Sequence, residues 1–121
     1  MSGDPYSPAV RALFAEPGHV GDVDGGEWAM LDEQGVRVRL SAVAKAGTIE
    51  AMRFRAWGCP HLIAAAEWLC GYYEGRPLAA LEEFPRAPIM ENLAIPTEKT
   101  GRILVLEDTV RSLGQKFGEG S

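Results

Sequence analysis

A cysteine, a histidine and a helix-start proline fall together in Trp57-Gly58-Cys59-Pro60-His61, and their chemistry depends on where the chain places them. An alternating apolar/polar run ends at Trp57, Gly58 breaks it, and a helical spacing begins near Pro60. Proline favours the first helical turn, where its missing N–H would be unpaired anyway. Cys59 is therefore expected at or just before the N-cap, near free backbone N–H groups and the positive end of the helix dipole. That setting lowers a thiol's pKa and favours the thiolate, the form that attacks electrophiles and binds metals. A small buried thiol at a tight corner fits the same residues. Cys70 lies in the same helical stretch. A straight helix rises about 16 Å between the two cysteines, too far for a disulfide or a shared metal ion.

The elements that must hold this corner follow from periodicity. Val36, Val38, Leu40 and Ala42 alternate with Arg37, Arg39 and Ser41, and Met52, Phe54 and Ala56 alternate with Arg53 and Arg55. With Trp28–Leu31 they predict strands near 28–31, 36–43 and 48–57, joined by turns at 32–35 and 45–48. Connections this short make neighbours antiparallel, in a meander with one wet face. The spacing predicts a main helix over 61–74, apolar enough to be covered on more than one side. Ser7 and Pro8 start a short helix with Val10, Leu13 and Phe14 on one face. His19 to Glu27, rich in glycine and aspartate, reads as a loop. Short helices are expected at 78–84 and 88–93. A last amphipathic helix from Arg102 carries Ile103, Leu106, Val110, Leu113 and Phe117, with fraying expected over Gly118 to Ser121. Strands followed by helices make this an α+β chain, a three-stranded antiparallel sheet with helices packed on one face.

The chain has 121 residues, one domain's worth, read as a single domain over 1–121. Its composition, 46% hydrophobic and 24% charged, is that of an ordinary globular protein. The net charge of −5 argues against nucleic acid as the main partner. No apolar run is long enough to span a bilayer, and Met1-Ser2-Gly3-Asp4-Pro5 lacks a signal-like start, so no membrane role and a cytoplasmic location are expected.

Several strings resemble the IscU/NifU-type iron–sulfur cluster scaffold family. They are Tyr6-Ser7-Pro8-Ala9-Val10 through Pro17-Gly18-His19-Val20-Gly21, the strand from Ile49 into Gly58-Cys59, Ile63-Ala64-Ala65, Tyr73-Glu74-Gly75-Arg76, and Glu107-Asp108. The resemblance implies the IscU/NifU N-terminal (SufE/NifU-like) fold, iron–sulfur cluster or zinc as cargo, and partners such as a cysteine desulfurase or other cluster-assembly proteins. Family members bring three cysteines, an aspartate and a histidine to one end. Here Gln34, Val36, Gly101 and Arg102 fall where the other ligands belong, and Cys59 remains.

A [2Fe–2S] cluster takes four thiolate-type ligands, with histidine an occasional substitute. The end implied by the resemblance offers Cys59, His61 and carboxylates from Asp32 or Glu33. Arg102 opposes a cation there and is expected to pair with Asp32 or Glu33. A histidine in a first helical turn is more often a surface or capping residue than a ligand. The expected function is a divergent, non-enzymatic scaffold acting through protein contacts, with metal or cluster bound weakly or not at all. The alternative is a thiol-dependent sulfur carrier or enzyme using Cys59. Independently of the resemblance, Arg37, Arg39, Arg53 and Arg55 share one sheet face, either a solvated surface or a partner-docking one.

Overall fold

The computed structural model describes residues 6–119. Strands β1 (Glu27–Glu33), β2 (Val36–Lys45) and β3 (Thr48–Trp57) form an antiparallel sheet in the order β1-β2-β3. Both hairpins close with two-residue turns whose residues all have positive φ: Gln34 (55°) and Gly35 (74°), then Ala46 (54°) and Gly47 (78°). Paired positive φ values mark the turn whose twist matches that of the flanking strands. Because a turn this tight needs only two residues, β1 runs on through Asp32 and Glu33, which the sequence reading assigned to the turn.

The inner sheet face presents Val36, Val38, Leu40, Ala42, Met52 and Phe54, all buried. Helix α2 (Pro60–Tyr73) packs on β3 with Leu62, Ala65, Ala66, Leu69 and Tyr73 buried. Its other sides are buried too, at Ala64 and Cys70, as its continuous apolar content requires. Helix α1 (Pro8–Ala15) packs on α2. Ser7 Oγ caps it by accepting from the Val10 N–H at 3.2 Å, and donates to the Leu93 carbonyl at 2.7 Å. On α1, Val10 is buried while Phe14 is 44% exposed, so the expected three-residue face is narrower than its pattern.

Leu78–Glu82 forms a 3-10 turn rather than an α-helix. Helix α3 spans Arg86–Asn92, beginning earlier than expected because Pro88 is tolerated inside a first turn. A 3-10 turn at Thr97–Lys99 leads into α4 (Thr100–Glu119), which lies against β1 and β2. Ile103, Leu106, Val110 and Leu113 are buried along it and Phe117 partly so. Gly118 and Glu119 continue the helix instead of fraying; the rest of the expected fraying, at Gly120 and Ser121, lies outside the described residues.

The loop before β1 is a strap. The Phe54 N–H donates to the His19 carbonyl and the Gly21 N–H to the Phe54 carbonyl, both at 2.9 Å, so residues 19–21 run along the outer edge of β3. The chain then crosses the outer sheet face. The Val23 N–H donates to Ser41 Oγ at 3.1 Å, and a Cβ on Gly26 would stand 1.9 Å from the Ala42 carbonyl oxygen. The face expected to be wholly wet is thus partly covered, and Ser41 is buried beneath the strap.

Candidate functional site

Three chain junctions meet at one end of the molecule: the β1–β2 turn, the β3–α2 corner and the start of α4. At the corner, a Cβ on Gly58 would lie 2.8 Å from Val36 Cγ1 and 2.9 Å from Leu62 Cδ2, so only glycine lets strand become helix there. Cys59 is the N-cap of α2 with extended backbone (φ −82°, ψ 163°), and its carbonyl accepts from the Leu62 and Ile63 N–H groups at 3.0 and 3.2 Å. From the turn, Gln34 Oε1 lies 3.7 Å from where a Cβ on Gly101 would stand, which ties β1–β2 to the first turn of α4. Arg102, next in that turn, brings its positive charge close enough to Cys59 to favour the thiolate.

Burial pushes the half-buried Cys59 thiol up, but the Leu62 N–H, the Arg102 guanidinium and the His61 N–H outweigh it and hold the pKa below the ordinary thiol value. This is the thiolate-favouring environment expected of a helix N-terminus beside a cation. Cys70 is the opposite case: deep burial, with Glu67 and Glu74 nearby, raises its pKa well above normal. Both cysteines are free thiols.

His61 departs from the expectation of a surface or capping residue. It is 3% exposed, its ring 4.8 Å from that of Tyr6, and neither ring nitrogen has a hydrogen-bond partner. Burial, then the charges of Lys99 and Arg102, lower its pKa against the opposing Glu98, so the imidazole is neutral at neutral pH.

Asp32 and Glu33 do not pair with Arg102 as expected. Strand alternation places Asp32 on the outer face opposite Arg37, which donates to its carboxylate from Nε (3.1 Å) and Nη2 (3.0 Å). Glu33 ends β1 opposite Val36 and stays exposed. Among the described residues, no three His, Cys, Asp or Glu side chains form a group that could hold a metal ion. The donors at this end, one thiol and one buried imidazole with a guanidinium between strand turn and helix, do not fit a cluster or a structural zinc.

The four outer-face arginines are answered by acids. Asp22, on the strap, accepts from Arg39 and Arg55 at 2.9 Å each, Arg37 pairs with Asp32, and Arg53 folds back to Glu74 at 2.6 Å. Arg39 also lies over the Trp28 ring at 4.1 Å and Arg37 over Trp57 at 5.6 Å. Trp28, Met30 and Trp57 are each about half exposed.

One polar cluster was not legible in the sequence. His19 Nδ1 meets Glu67 Oε2 at 2.5 Å and Nε2 meets Glu74 Oε1 at 3.0 Å, while Glu74 Oε2 accepts from the Met52 N–H at 2.9 Å. Burial works against the His19 charge, but the two carboxylates outweigh it and raise its pKa. Glu67 stands on α2 and Glu74 is its C-cap, with Gly71 between them, where a Cβ would lie 3.8 Å from His19 Cε1. That spacing of two acids around a glycine was the available signal.

The profile of the NifU-like N terminal domain matches residues 5–117. The chain belongs to this family. Within it, the chain is 26% identical over 117 residues to the iron–sulfur cluster assembly scaffold protein IscU of Azotobacter vinelandii, covering 88% of this chain and 89% of that one. It is 24% identical over 115 residues to the mitochondrial iron sulfur cluster assembly protein 1 of Eremothecium gossypii, covering 88% and 75%. The fold matches the crystal structure of a NifU-like N-terminal protein from Brucella abortus with a TM-score of 0.76 at 12% identity, covering 95% of each chain. A putative scaffold protein for the SUF system from Fervidobacterium islandicum matches at 0.69 and 15%, covering 90% and 96%. Among the described residues, no helix is long and apolar enough to cross a membrane.

Proposed function

We propose that this member of the scaffold family serves cluster assembly through protein contacts and binds metal or cluster weakly or not at all. The observation that carries this reading is the positive charge of Arg102 near Cys59, at the end where the family resemblance places the cargo. Reconstitution with ferrous iron and sulfide is expected to give no stable visible chromophore, and a stoichiometric [2Fe–2S] spectrum from the monomer would refute the proposal. For zinc, competition against a calibrated chelator is expected to give a Kd no tighter than micromolar, about −8 kcal/mol. Tight one-to-one binding lost in both Cys59→Ala and His61→Ala would overturn that. The contacts are proposed to use the outer sheet face, where Trp28, Met30 and Trp57 stand among Arg37, Arg39 and Arg55; aromatic residues, methionine and arginine are enriched at interfaces. Partners are sought among cluster-assembly proteins, a cysteine desulfurase first, with a cytoplasmic setting to be checked by fractionation.

The lowered thiol pKa favours a second reading, in which Cys59 accepts sulfur or attacks an electrophile. Titrating Cys59 by its rate of alkylation discriminates the two: a thiolate near neutral pH supports the second, and an ordinary thiol leaves the first alone.

A further inference from the structure

The two edges of the sheet differ. The outer edge of β3 is taken at both ends. Residues 19–21 pair with Phe54, and beyond α2 the Ile49 N–H donates to the Arg76 carbonyl at 2.9 Å while the Gly75 N–H donates to the Ile49 carbonyl at 2.8 Å. Strand β1 forms the other edge, and among the described residues its main chain pairs with β2 alone. The two-residue turn at Gln34 and Gly35 makes Glu33 and Val36 a hydrogen-bonded pair, and such pairs alternate with unbonded ones along an antiparallel ladder. Glu27, Ala29, Leu31 and Glu33 therefore turn their N–H and C=O groups toward β2, and Trp28, Met30 and Asp32 turn theirs away from it. These last three are the exposed residues of the strand's middle.

A row of unpaired N–H and C=O groups is a template for another strand, and the acids at its two ends select which. Glu27 and Glu33 share one side of the strand, at its first and last positions, and neither is in an ion pair among the described residues. Laying β1 against β1 of a second copy in full antiparallel register would set Glu27 opposite Glu33 twice, and like charges directly opposed across strands are destabilising. The same two acids favour a strand with cations at those positions. We propose that the free edge of β1 takes up an extended segment of a partner protein as a fourth, antiparallel strand, with a lysine or arginine opposite Glu27 and a second opposite Glu33. Main-chain hydrogen bonds to Trp28, Met30 and Asp32 supply the affinity, and the two cations supply the choice of sequence. Between them, the residues opposite Ala29 and Leu31 continue the inner sheet face and are apolar. This surface is the rim of the sheet, apart from the outer-face contacts proposed above, and either can fail without the other.

The test uses the full chain and two end-capped peptides, KTVTVTK and ETVTVTE. In antiparallel register their terminal residues meet Glu33 and Glu27, and their valines meet Leu31 and Ala29. Titration followed by amide NMR shifts is expected to give the lysine peptide an affinity about tenfold or more above that of the glutamate peptide at low salt, narrowing as salt screens the charges. With the lysine peptide bound, the amides of Trp28, Met30 and Asp32 should gain protection from exchange, while those of Ala29 and Leu31 keep what they have. Met30→Pro removes an outward donor at an edge position that tolerates proline, and should weaken lysine-peptide binding about fivefold or more. The double variant Glu27→Lys with Glu33→Lys leaves the main chain intact and should turn the preference to the glutamate peptide, which decides the matter if Met30→Pro does not fold. Equal affinities for the two peptides, or no binding of the lysine peptide, would overturn the proposal. So would lysine-peptide binding that leaves the β1 amides unprotected, since that is general attraction to a chain of net charge −5.

Discussion

A thiol held among N–H groups and a guanidinium reacts differently from one walled in by apolar atoms, and this chain contains both. Alkylation in the folded state should modify Cys59 and spare Cys70, as peptide mapping would show. Arg102→Leu should move the pH midpoint of Cys59 alkylation upward, because the charge that offsets burial is gone. His61 offers a second check at this scale. Replacing a buried, unpaired polar side chain by an apolar one removes a desolvation penalty, so His61→Leu should stabilise the fold by about 1–3 kcal/mol in urea unfolding. The placement of Cys59 was legible because Gly58 and Pro60 punctuate the chain locally. The partner of Arg102 was not. It depends on strand parity, which sends Asp32 to the outer face, and on a contact between residues far apart in sequence.

The two hairpins show what an element asks of single residues. Ala46 holds φ at 54° where asparagine or glycine is at ease, so Ala46→Asn should raise stability by about 0.5–1 kcal/mol, read from the urea midpoint. Gly58→Ala acts the other way. Its methyl would fall within 3 Å of Val36 and Leu62, both packed, and overpacking of this kind costs about 1–3 kcal/mol. The strands themselves were readable from alternation, since Val36 to Ala42 and Met52 to Ala56 mark one buried face. What alternation could not give was the length of β1: Asp32 and Glu33 are poor strand formers in isolation and are recruited by pairing with Arg37 and Val36. Likewise the 3-10 turns at Leu78–Glu82 and Thr97–Lys99 follow from tertiary packing rather than from a local period.

At the scale of the molecule, the His19 cluster joins the strap, α2 and β3. His19 has a raised pKa, so its contribution to stability is complete below the unfolded value of 6.5 and is lost as pH rises through the folded one. Burial pushes Glu74 up, but the Met52 N–H, His19 and Arg53 hold it below 4.5, so its contribution is present above that value and is lost as pH falls through the folded one. The cluster's contribution should therefore be greatest in mildly acid solution and decline above neutrality, while the lowered pKa of His61 adds an opposing loss of stability as pH falls below 6.5. His19→Gln should lower stability by about 1.5–3 kcal/mol near pH 6 and flatten the alkaline decline, measured by urea midpoints across the range. None of this was legible from the loop's glycines and aspartates, because the partners come from a helix far along the chain. The strap also has a consequence for the protein's behaviour in a crowded solution. Residues 19–21 occupy the hydrogen-bonding edge of β3 that a strand from another molecule would otherwise extend. An open edge is a template for aggregation, so loosening His19 by alkaline pH or by substitution should shorten the protein's soluble lifetime, with light scattering rising as the Phe54 amide loses its protection from exchange.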